Sequence, residues 1–417
     1  MSSVNRRQSA SEVEAGPASR WHVLAASAMC YGFDAMDFMM LALALPFLIS
    51  EWKLSLGEAG ALGTAGMVGV GLSGVALGWF ADRYGRRRAL IAGVVIFALF
   101  TAALALARSR WDVMALRLLA GLGLGGVWAA VTTLINETWP KESRARAVSW
   151  VLSMWPVGVS VAAVLAATVL PRYGWRGLFL FGALGLLAAF YVFLFVPESP
   201  LWRARRSGPA GASRTSVAEI FAPGFRKNTL LGTLASACFL TAYWGANTWL
   251  PTFLVRDHGL SAQSMGRYVL VLNAGMFCGY PLLGALADRI GKRRALVLSF
   301  VVTSVLLPIY ASLDDLTALL WIGPVVAVFF AQTGIFGAYF PELYPTRIRS
   351  LGAGFCFNIG RGIAAFAPLA MGQLAGVVGL ARGIALCGAV FLLAGLVIVF
   401  LPDQPPFASA SDEAPSP

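Results

Sequence analysis

Apolar stretches of 19 to 29 residues alternate with shorter polar segments along most of this chain of 417 residues. About 20 consecutive apolar residues allow one helix to cross a membrane. The pattern therefore predicts an all-α membrane protein with twelve transmembrane helices. We number these spans in chain order, at residues 21–49, 57–81, 88–107, 112–137, 145–170, 175–196, 227–255, 264–287, 294–312, 315–340, 350–378 and 380–401.

The last six spans repeat sequence features of the first six at a nearly constant offset. The segment GWFADRYGRRRAL at 78–90 returns as GALADRIGKRRAL at 284–296, which is 206 residues later. Two shorter matches lie 205 residues apart, E-x-x-P at 137 and 342 and Leu-Pro at 45 and 250. Repeats of this kind are related by an axis along the membrane normal. We therefore expect two pseudo-symmetric six-helix bundles.

The repeat also predicts the division of the chain. A polar segment with five arginines separates the sixth span from the seventh, which is typical of a linker between two halves. The end of the chain is rich in proline, serine and alanine, a composition typical of disorder. We expect an N-terminal cytoplasmic tail at 1–20, a first bundle at 21–196, a cytoplasmic linker at 197–226, a second bundle at 227–401 and a disordered cytoplasmic tail at 402–417.

Composition and charge agree with a membrane location. Hydrophobic residues make up 58% of the chain and charged residues 12%, against about 25% charged in soluble domains. The net charge of +12 does not indicate nucleic acid binding, because the basic residues cluster between spans. With both termini inside, 22 of the 32 lysines and arginines are cytoplasmic and eight are external. This bias predicts cytoplasmic termini.

Two acidic residues, Asp34 and Asp37, lie in the middle of the first span. Residues three apart on a helix share a face. Each ionisable group at the membrane centre costs roughly 2.5–3.5 kcal/mol on insertion scales. Such a pair is a poor anchor and a good proton carrier, so we predict that one acid couples transport to protons while the other tunes it. The alternative is an internal ion pair or a polar contact that bends the helix.

At this point the sequence resembles the major facilitator superfamily over nearly its whole length. The loop between the second and third spans matches the hallmark G-x-L-a-D-r-x-G-r-[rk] of that superfamily, and it occurs in both halves. Residues 117–125 match its R-x-x-x-G-x-G-x-G element, and 197–200 match the P-E-S-P element of sugar and metabolite porters. The resemblance implies twelve helices in two bundles around a central cavity.

The first span is similar to that of the aromatic-acid, sialate and lactate-type metabolite:proton symporters. Their D-G-x-D motif stands here as Asp34-Ala-Met-Asp37, with alanine in place of the glycine. Residues 341–347, PELYPTR, together with NIGR at 358–361, resemble the same group. The glycine–proline element that drug:proton antiporters carry in the fifth span is missing.

Two basic residues, Arg117 and Arg361, lie within spans and away from the span ends, where the other lysines and arginines cluster. A buried guanidinium needs an anion, and for Arg361 this is either a substrate carboxylate bound through two hydrogen bonds or an aspartate of the first span. For Arg117 the resemblance implies proton coupling or a contact near the cavity. The alternative for each arginine is a static pair with Asp34 or Asp37. Protonation of one acid would release one arginine for substrate.

Polar and aromatic residues near these charges are candidates for substrate contact. Aromatic and amide groups beside a charge fit a cavity for a small organic acid, although packing alone would explain any single aromatic residue. The predicted substrate-binding residues are Arg361, Asn358, Tyr31, Tyr243, Asn247 and Trp244.

Charged residues of both signs gather at the cytoplasmic ends of the spans. Basic residues there serve topology, but acids do not, so we predict a charge network that holds the inner ends together until the protein opens inward. The predicted gating residues are Asp82, Arg83, Arg86, Glu137, Arg144, Asp288, Arg289, Lys292, Glu342 and Arg349.

We expect a secondary transporter, and not an enzyme, that takes up a small organic anion with protons by alternating access. The resemblance places it as a monomer in a bacterial inner membrane, driven by the proton gradient. The sequence offers no metal ligand cluster, no nucleotide-binding loop and no sign of a nucleic acid partner or cofactor. Two alternatives stay open, a proton-coupled efflux antiporter for drugs or metabolites and a membrane sensor that does not transport.

Overall fold

The computed structural model describes residues 17–140, 143–199, 202–203, 216–345 and 347–403. Most of the predicted N-terminal tail, nearly half of the predicted linker and nearly all of the predicted C-terminal tail lie outside these ranges and stay predictions. The α-helices that form the spans are Pro17–Trp52, Leu56–Tyr84, Arg86–Ala103, Arg110–Thr138, Arg144–Leu152, Met154–Leu180, Gly185–Phe195, Arg226–Arg256, Ala262–Ile290, Lys292–Ala311, Leu316–Phe330, Thr333–Tyr339, Arg349–Ala364, Ala367–Val378 and Leu380–Val399.

Among the described residues, eleven segments are long and apolar enough to cross a membrane. One of them, Ala147–Phe195, is 49 residues long and would measure about 74 Å as a straight helix, against about 30 Å of membrane core. Gly174 interrupts it with a positive φ of 64° and a ψ of −172°. This turn separates the fifth span from the sixth and confirms the prediction of twelve spans.

Two spans of the second bundle are interrupted within the membrane. The tenth stops at Phe330 and resumes at Thr333, and the eleventh stops at Ala364 and resumes at Ala367. In the eleventh, Pro368 occupies the first turn of the outer half-helix, where its missing N–H costs no hydrogen bond.

The loops that repeat between the halves have the same backbone form. Gly85 separates the second and third spans with a φ of 112°, and Gly291 separates the eighth and ninth with a φ of 91°. Residues with a side chain rarely adopt this conformation. The glycine of the repeated motif is therefore required by the turn itself.

The two halves are in close contact at their extracellular ends. A Cβ atom on Gly60 of the second span would lie 2.3 Å from the carbonyl oxygen of Pro368 in the eleventh. A Cβ on Gly266 of the eighth span would lie 2.6 Å from the carbonyl oxygen of Ala163 in the fifth. Glycine thus lets backbone meet backbone across the interface between the halves.

The cytoplasmic ends of the halves are apart. A Cβ on Gly71 or Gly74 of the second span, or on Gly362 of the eleventh, would meet no described atom within 4 Å. A cleft of about 620 Å³ opens between the inner ends of the fifth, eighth and tenth spans, where Ser149 and Trp150 face Tyr280 across it. The protein is therefore in an inward-open arrangement.

Candidate functional site

The first span carries Asp34 and Asp37 on the side that faces other helices. Asp34 is 5% exposed and Asp37 is fully buried. Three residues of α-helix turn the chain by about 300°, so the two side chains point about 60° apart. This divergence allows neighbouring acids to meet different partners.

Asp37 pairs with Arg117 of the fourth span. The distance from Arg117 Nη1 to Asp37 Oδ2 is 3.4 Å, and the two side chains are 2% and 0% exposed. Both residues belong to the first half, so the pair joins the first span to the fourth. The other carboxylate oxygen, Asp37 Oδ1, and Arg117 Nε have no hydrogen-bond partner among the described residues.

Asp34 faces Arg361, which comes from the second half. The two charges interact electrostatically, and Tyr31 also interacts with Arg361. No carboxylate of the described residues lies within 4 Å of the Arg361 guanidinium, in contrast to Arg117. Arg361 is partly exposed, and it lies four residues before the break in the eleventh span. The structure thus places between the halves a cation that forms no ion pair with any described residue.

Aromatic side chains from both halves meet beside these charges. Phe38 packs on Trp244 with ring centroids 4.3 Å apart, and Trp155 lies 5.9 Å from Trp244. The indole of Trp155 donates a hydrogen bond of 3.2 Å to the hydroxyl of Tyr243. Tyr31 lies against Trp155 on the other side. We call these five residues the aromatic box.

The structure brings together most of the predicted substrate-binding residues. Tyr31, Tyr243 and Trp244 are part of the aromatic box, while the amide of Asn247 donates to the carbonyl oxygen of Tyr243 in its own helix. Asn358 is exposed one turn before Arg361. Their contact with a substrate stays a prediction.

Sequence reasoning missed Phe38 and Trp155, and also Trp128 and Tyr280. Trp128 packs 5.2 Å from Tyr31, and the phenol of Tyr280 lies near those of Tyr31 and Tyr243. An aromatic residue in an apolar span is ordinary, so none of them stood out alone. Trp155 is the one that carried a signal, because Pro156 and Gly158 follow it closely in the fifth span.

The repeated cytoplasmic motifs form equivalent ion pairs in the two halves. Arg86 Nε lies 3.5 Å from Glu137 Oε2 in the first half, and Lys292 pairs with Glu342 in the second. Each pair joins helices of a single half, and both are formed although the cytoplasmic side is open. Their role in gating between the halves stays a prediction.

The other predicted gating residues have varied surroundings. Arg83 stacks near the rings of Trp79 and Tyr84, and Asp288 lines the cytoplasmic cleft. Arg349 donates to the carbonyl oxygen of Tyr344. Arg289 lies on the last turn of the eighth span, and the side chains of Asp82 and Arg144 lie outside the described residues.

A further repeat follows the last span of each half. Glu198 accepts a hydrogen bond of 3.1 Å from the backbone N–H of Arg87, at the start of the third span. Asp403, 205 residues later, pairs at 2.9 Å with Arg294 near the start of the ninth. The sequence signal was a Pro-acid dipeptide after each bundle, Pro197-Glu198 and Pro402-Asp403. These acids fasten each bundle's last span to its third.

A search of the described residues finds no group of three or more His, Cys, Asp or Glu side chains that could hold a metal ion. The site chemistry is that of two carboxylates, two guanidinium groups and an aromatic box between two halves. A family model for the Major Facilitator Superfamily matches residues 27–341 and 268–417. The chain belongs to the Major Facilitator Superfamily.

Relatives within the superfamily are bacterial transport proteins. A putative metabolite transport protein of Haemophilus influenzae is 31% identical over 91% of this chain and 95% of its own length. The cis,cis-muconate transport protein of Acinetobacter baylyi is also 31% identical, over 87% and 90% of the two chains. This chain is accordingly a multi-pass membrane transporter of the superfamily and not an enzyme.

A solved structure of the superfamily has the same fold. It is the crystal structure of a bacterial homolog of the human lysosomal transporter Spinster, in an inward-facing and unoccupied conformation. The TM-score is 0.74 at 19% identity, over 92% of this chain and 98% of that one. The predicted all-α fold of two six-helix bundles is therefore confirmed.

Proposed function

We propose that this transporter takes up a small organic acid together with protons, by alternating access of a site between its two halves. The observation that carries the proposal is Arg361, a partly exposed cation between the halves with no carboxylate of the described residues within 4 Å. A guanidinium binds a carboxylate through two parallel hydrogen bonds. Since no described carboxylate pairs with Arg361, a substrate carboxylate would supply the anion that this guanidinium needs.

Asp34 supplies the link to protons. It interacts electrostatically with Arg361, so an ionised Asp34 and a substrate carboxylate compete for the same cation. Protonation of Asp34 from outside removes this competition and lets Arg361 bind the substrate. Loss of the proton to the cytoplasm restores the competition and releases the substrate inward. Proton and anion thus cross together.

Asp37 and Arg117 have a supporting part in this scheme. Their direct pair keeps Arg117 from competing for substrate and holds the first span on the fourth. Asp37 also interacts electrostatically with Asp34, and a nearby negative charge favours the protonated form of a carboxyl. Asp37 therefore raises the proton affinity of Asp34.

The aromatic box favours a compact, partly apolar acid. Its rings come from both halves, and one of them, Tyr31, lies near Arg361. Muconate, which the Acinetobacter relative transports, is an unsaturated carboxylate and serves as the first probe. Thermal-shift screening of the purified protein against carboxylates, sugars and amines would identify further ligands, and we expect stabilisation by carboxylates alone.

Uptake in proteoliposomes tests the coupling. With equal substrate on both sides and an acidic exterior, we expect accumulation of the carboxylate that a protonophore abolishes. Asp34→Asn should lose this accumulation while it retains exchange of labelled for unlabelled substrate, because its side chain is neutral in every state. Asp314→Asn, in an exposed loop, is the matched control and should behave as the wild type.

Two outcomes would contradict the proposal. Export of substrate towards an acidic exterior would identify an efflux antiporter. Wild-type accumulation in Asp34→Asn would show that Asp34 does not couple transport to protons.

A further inference from the structure

A side chain of the first half caps a helix of the second half at the closed extracellular side. The outer part of the eleventh span, Ala367–Val378, begins within the membrane. The backbone N–H of Leu369 donates a hydrogen bond of 3.2 Å to the hydroxyl oxygen of Thr64 in the second span. These two residues are 305 positions apart in the chain.

The half-helix needs an acceptor at this place. The first N–H groups of a helix have no partner within it, and a side-chain oxygen usually supplies one. Here the N-cap position is Phe366, whose side chain makes no cap hydrogen bond, and Pro368 has no N–H. The N–H of Ala370 already bonds to the carbonyl oxygen of Phe366. Leu369 is thus the residue whose N–H depends on Thr64.

The surroundings allow Thr64 to reach Leu369 only when the halves touch. On the same helix, Gly60 and Gly63 let the second span approach Pro368 so closely that an added Cβ would lie 2.3 Å and 3.1 Å from its atoms. Any movement that parts the second and eleventh spans at the extracellular side removes the acceptor from Leu369. The hydrogen bond is therefore specific to the inward-open arrangement.

The contact between Thr64 and Leu369 also links the helix beside Arg117 to the helix that carries Arg361. Gly66, two residues after Thr64, lies against Arg117, since a Cβ there would be 3.3 Å from Arg117 Nε. Arg361 precedes Leu369 by eight residues on the eleventh span, which is about 12 Å along a helix. One helix that touches Arg117 is thereby fastened to the span that carries Arg361.

We propose that Thr64 is a positioning residue, an N-cap supplied by one half to the other, which stabilises closure of the extracellular side and holds the eleventh span in place for Arg361. The proposal adds to the symport proposal but does not depend on it, because the cap acts on the conformational equilibrium without substrate or protons.

The test measures that equilibrium in the full-length protein in nanodiscs, without substrate and at a single pH. Spin labels on noncanonical amino acids at Arg172 and Gln263, both exposed at the outer ends of the fifth and eighth spans, report the extracellular distance between the halves. Thr64→Val should raise the ratio of long to short distances about 2- to 13-fold, the effect of one neutral hydrogen bond.

Two further variants separate capping from packing. Thr64→Ser keeps the acceptor oxygen and should restore the wild-type distances. Thr303→Val is the matched control, because Thr303 is also buried and its hydroxyl bonds only within its own helix. Equal distance distributions in Thr64→Val and the wild type, a Thr64→Ser that resembles Thr64→Val, or the same change in Thr303→Val would each overturn the proposal. Failure of proton-coupled uptake would leave these results unaffected.

Discussion

Asp34 and Asp37 lie three residues apart on one helix, yet their arginine partners belong to different halves of the protein. Asp37 pairs with Arg117 at 3.4 Å inside the first half, where both side chains are almost fully buried. Asp34 faces Arg361 of the second half, electrostatically and without an ion pair. In the alternating access that we propose, the first pair travels as a unit while the separation of Asp34 and Arg361 changes.

This difference separates two uses of the same chemistry. A pair within one half holds helices together in every state of the transport cycle. A pair between the halves has a strength that depends on the state, so a proton or a substrate that alters it also alters the balance between states. Only the second kind can perform coupling.

The largest effect should follow from breaking the pair inside the first half. Asp37→Asn leaves Arg117 as an uncompensated buried charge, which costs about 3–5 kcal/mol of folding free energy. We expect a correspondingly lower stability in denaturant unfolding of the protein in mixed micelles. Asp34→Asn should cost less, since Asp34 has no ion pair within 4 Å among the described residues.

A double variant provides the control for this prediction. Asp37→Leu combined with Arg117→Met removes both charges and should recover most of the lost stability, because apolar replacement of a whole buried pair is often neutral. Equal losses for Asp37→Asn and Asp34→Asn would remove the distinction between the two acids.

The next effect concerns the cation between the halves. Arg361→Ala should weaken binding of a carboxylate substrate about 10- to 150-fold, the equivalent of 1.5–3 kcal/mol for hydrogen bonds to a charged group. Equilibrium binding with the carboxylate found by thermal-shift screening measures this. Arg382→Ala, which is exposed at the outer start of the twelfth span, should bind as the wild type does. Affinity within threefold of the wild type in Arg361→Ala would rule out the anion site.

The smallest effect should follow from removal of the Tyr31 hydroxyl beside Arg361. Tyr31 lies near Arg361, so a hydroxyl that contacts the bound carboxylate would be lost in Tyr31→Phe, and we expect carboxylate affinity to fall about 2- to 13-fold. The same binding assay measures it. Tyr268→Phe, whose hydroxyl donates to Leu316 far from the aromatic box, should leave affinity unchanged. An unchanged affinity in Tyr31→Phe would place the hydroxyl outside the substrate contact.

Much of the fold could be predicted, because the membrane imposes a length and a charge rule on every span. The twelve spans and their grouping into two bundles followed from apolar length and from the repeat. The breaks in the tenth and eleventh spans were missed, since Ala331 and Ala365 do not mark a break by composition. Such breaks depend on tertiary contacts, such as the hydrogen bond between Thr64 and Leu369, which local composition does not reveal.

The candidate site could be predicted in its residues but not in its pairings. Asp34, Asp37, Arg117 and Arg361 are conspicuous because charge within a span is costly. Which acid meets which arginine depends on the difference of about 60° between the directions of the two side chains around the first span. Because the neighbouring residues are nearly all apolar, the sequence does not indicate which helix each acid faces. The aromatic box was only half visible for the same reason, since Phe38 in an apolar span resembles any packing residue.

The ion pairs and hydrogen bonds at the cytoplasmic ends of the spans have a consequence for folding during synthesis. In the first half, the Arg86–Glu137 pair and the contact of Glu198 with the third span use no residue beyond position 198. Synthesis proceeds from the N-terminus, and units fold as they emerge. All the residues of these contacts are thus synthesised before the seventh span, so their formation in the first bundle needs no part of the second.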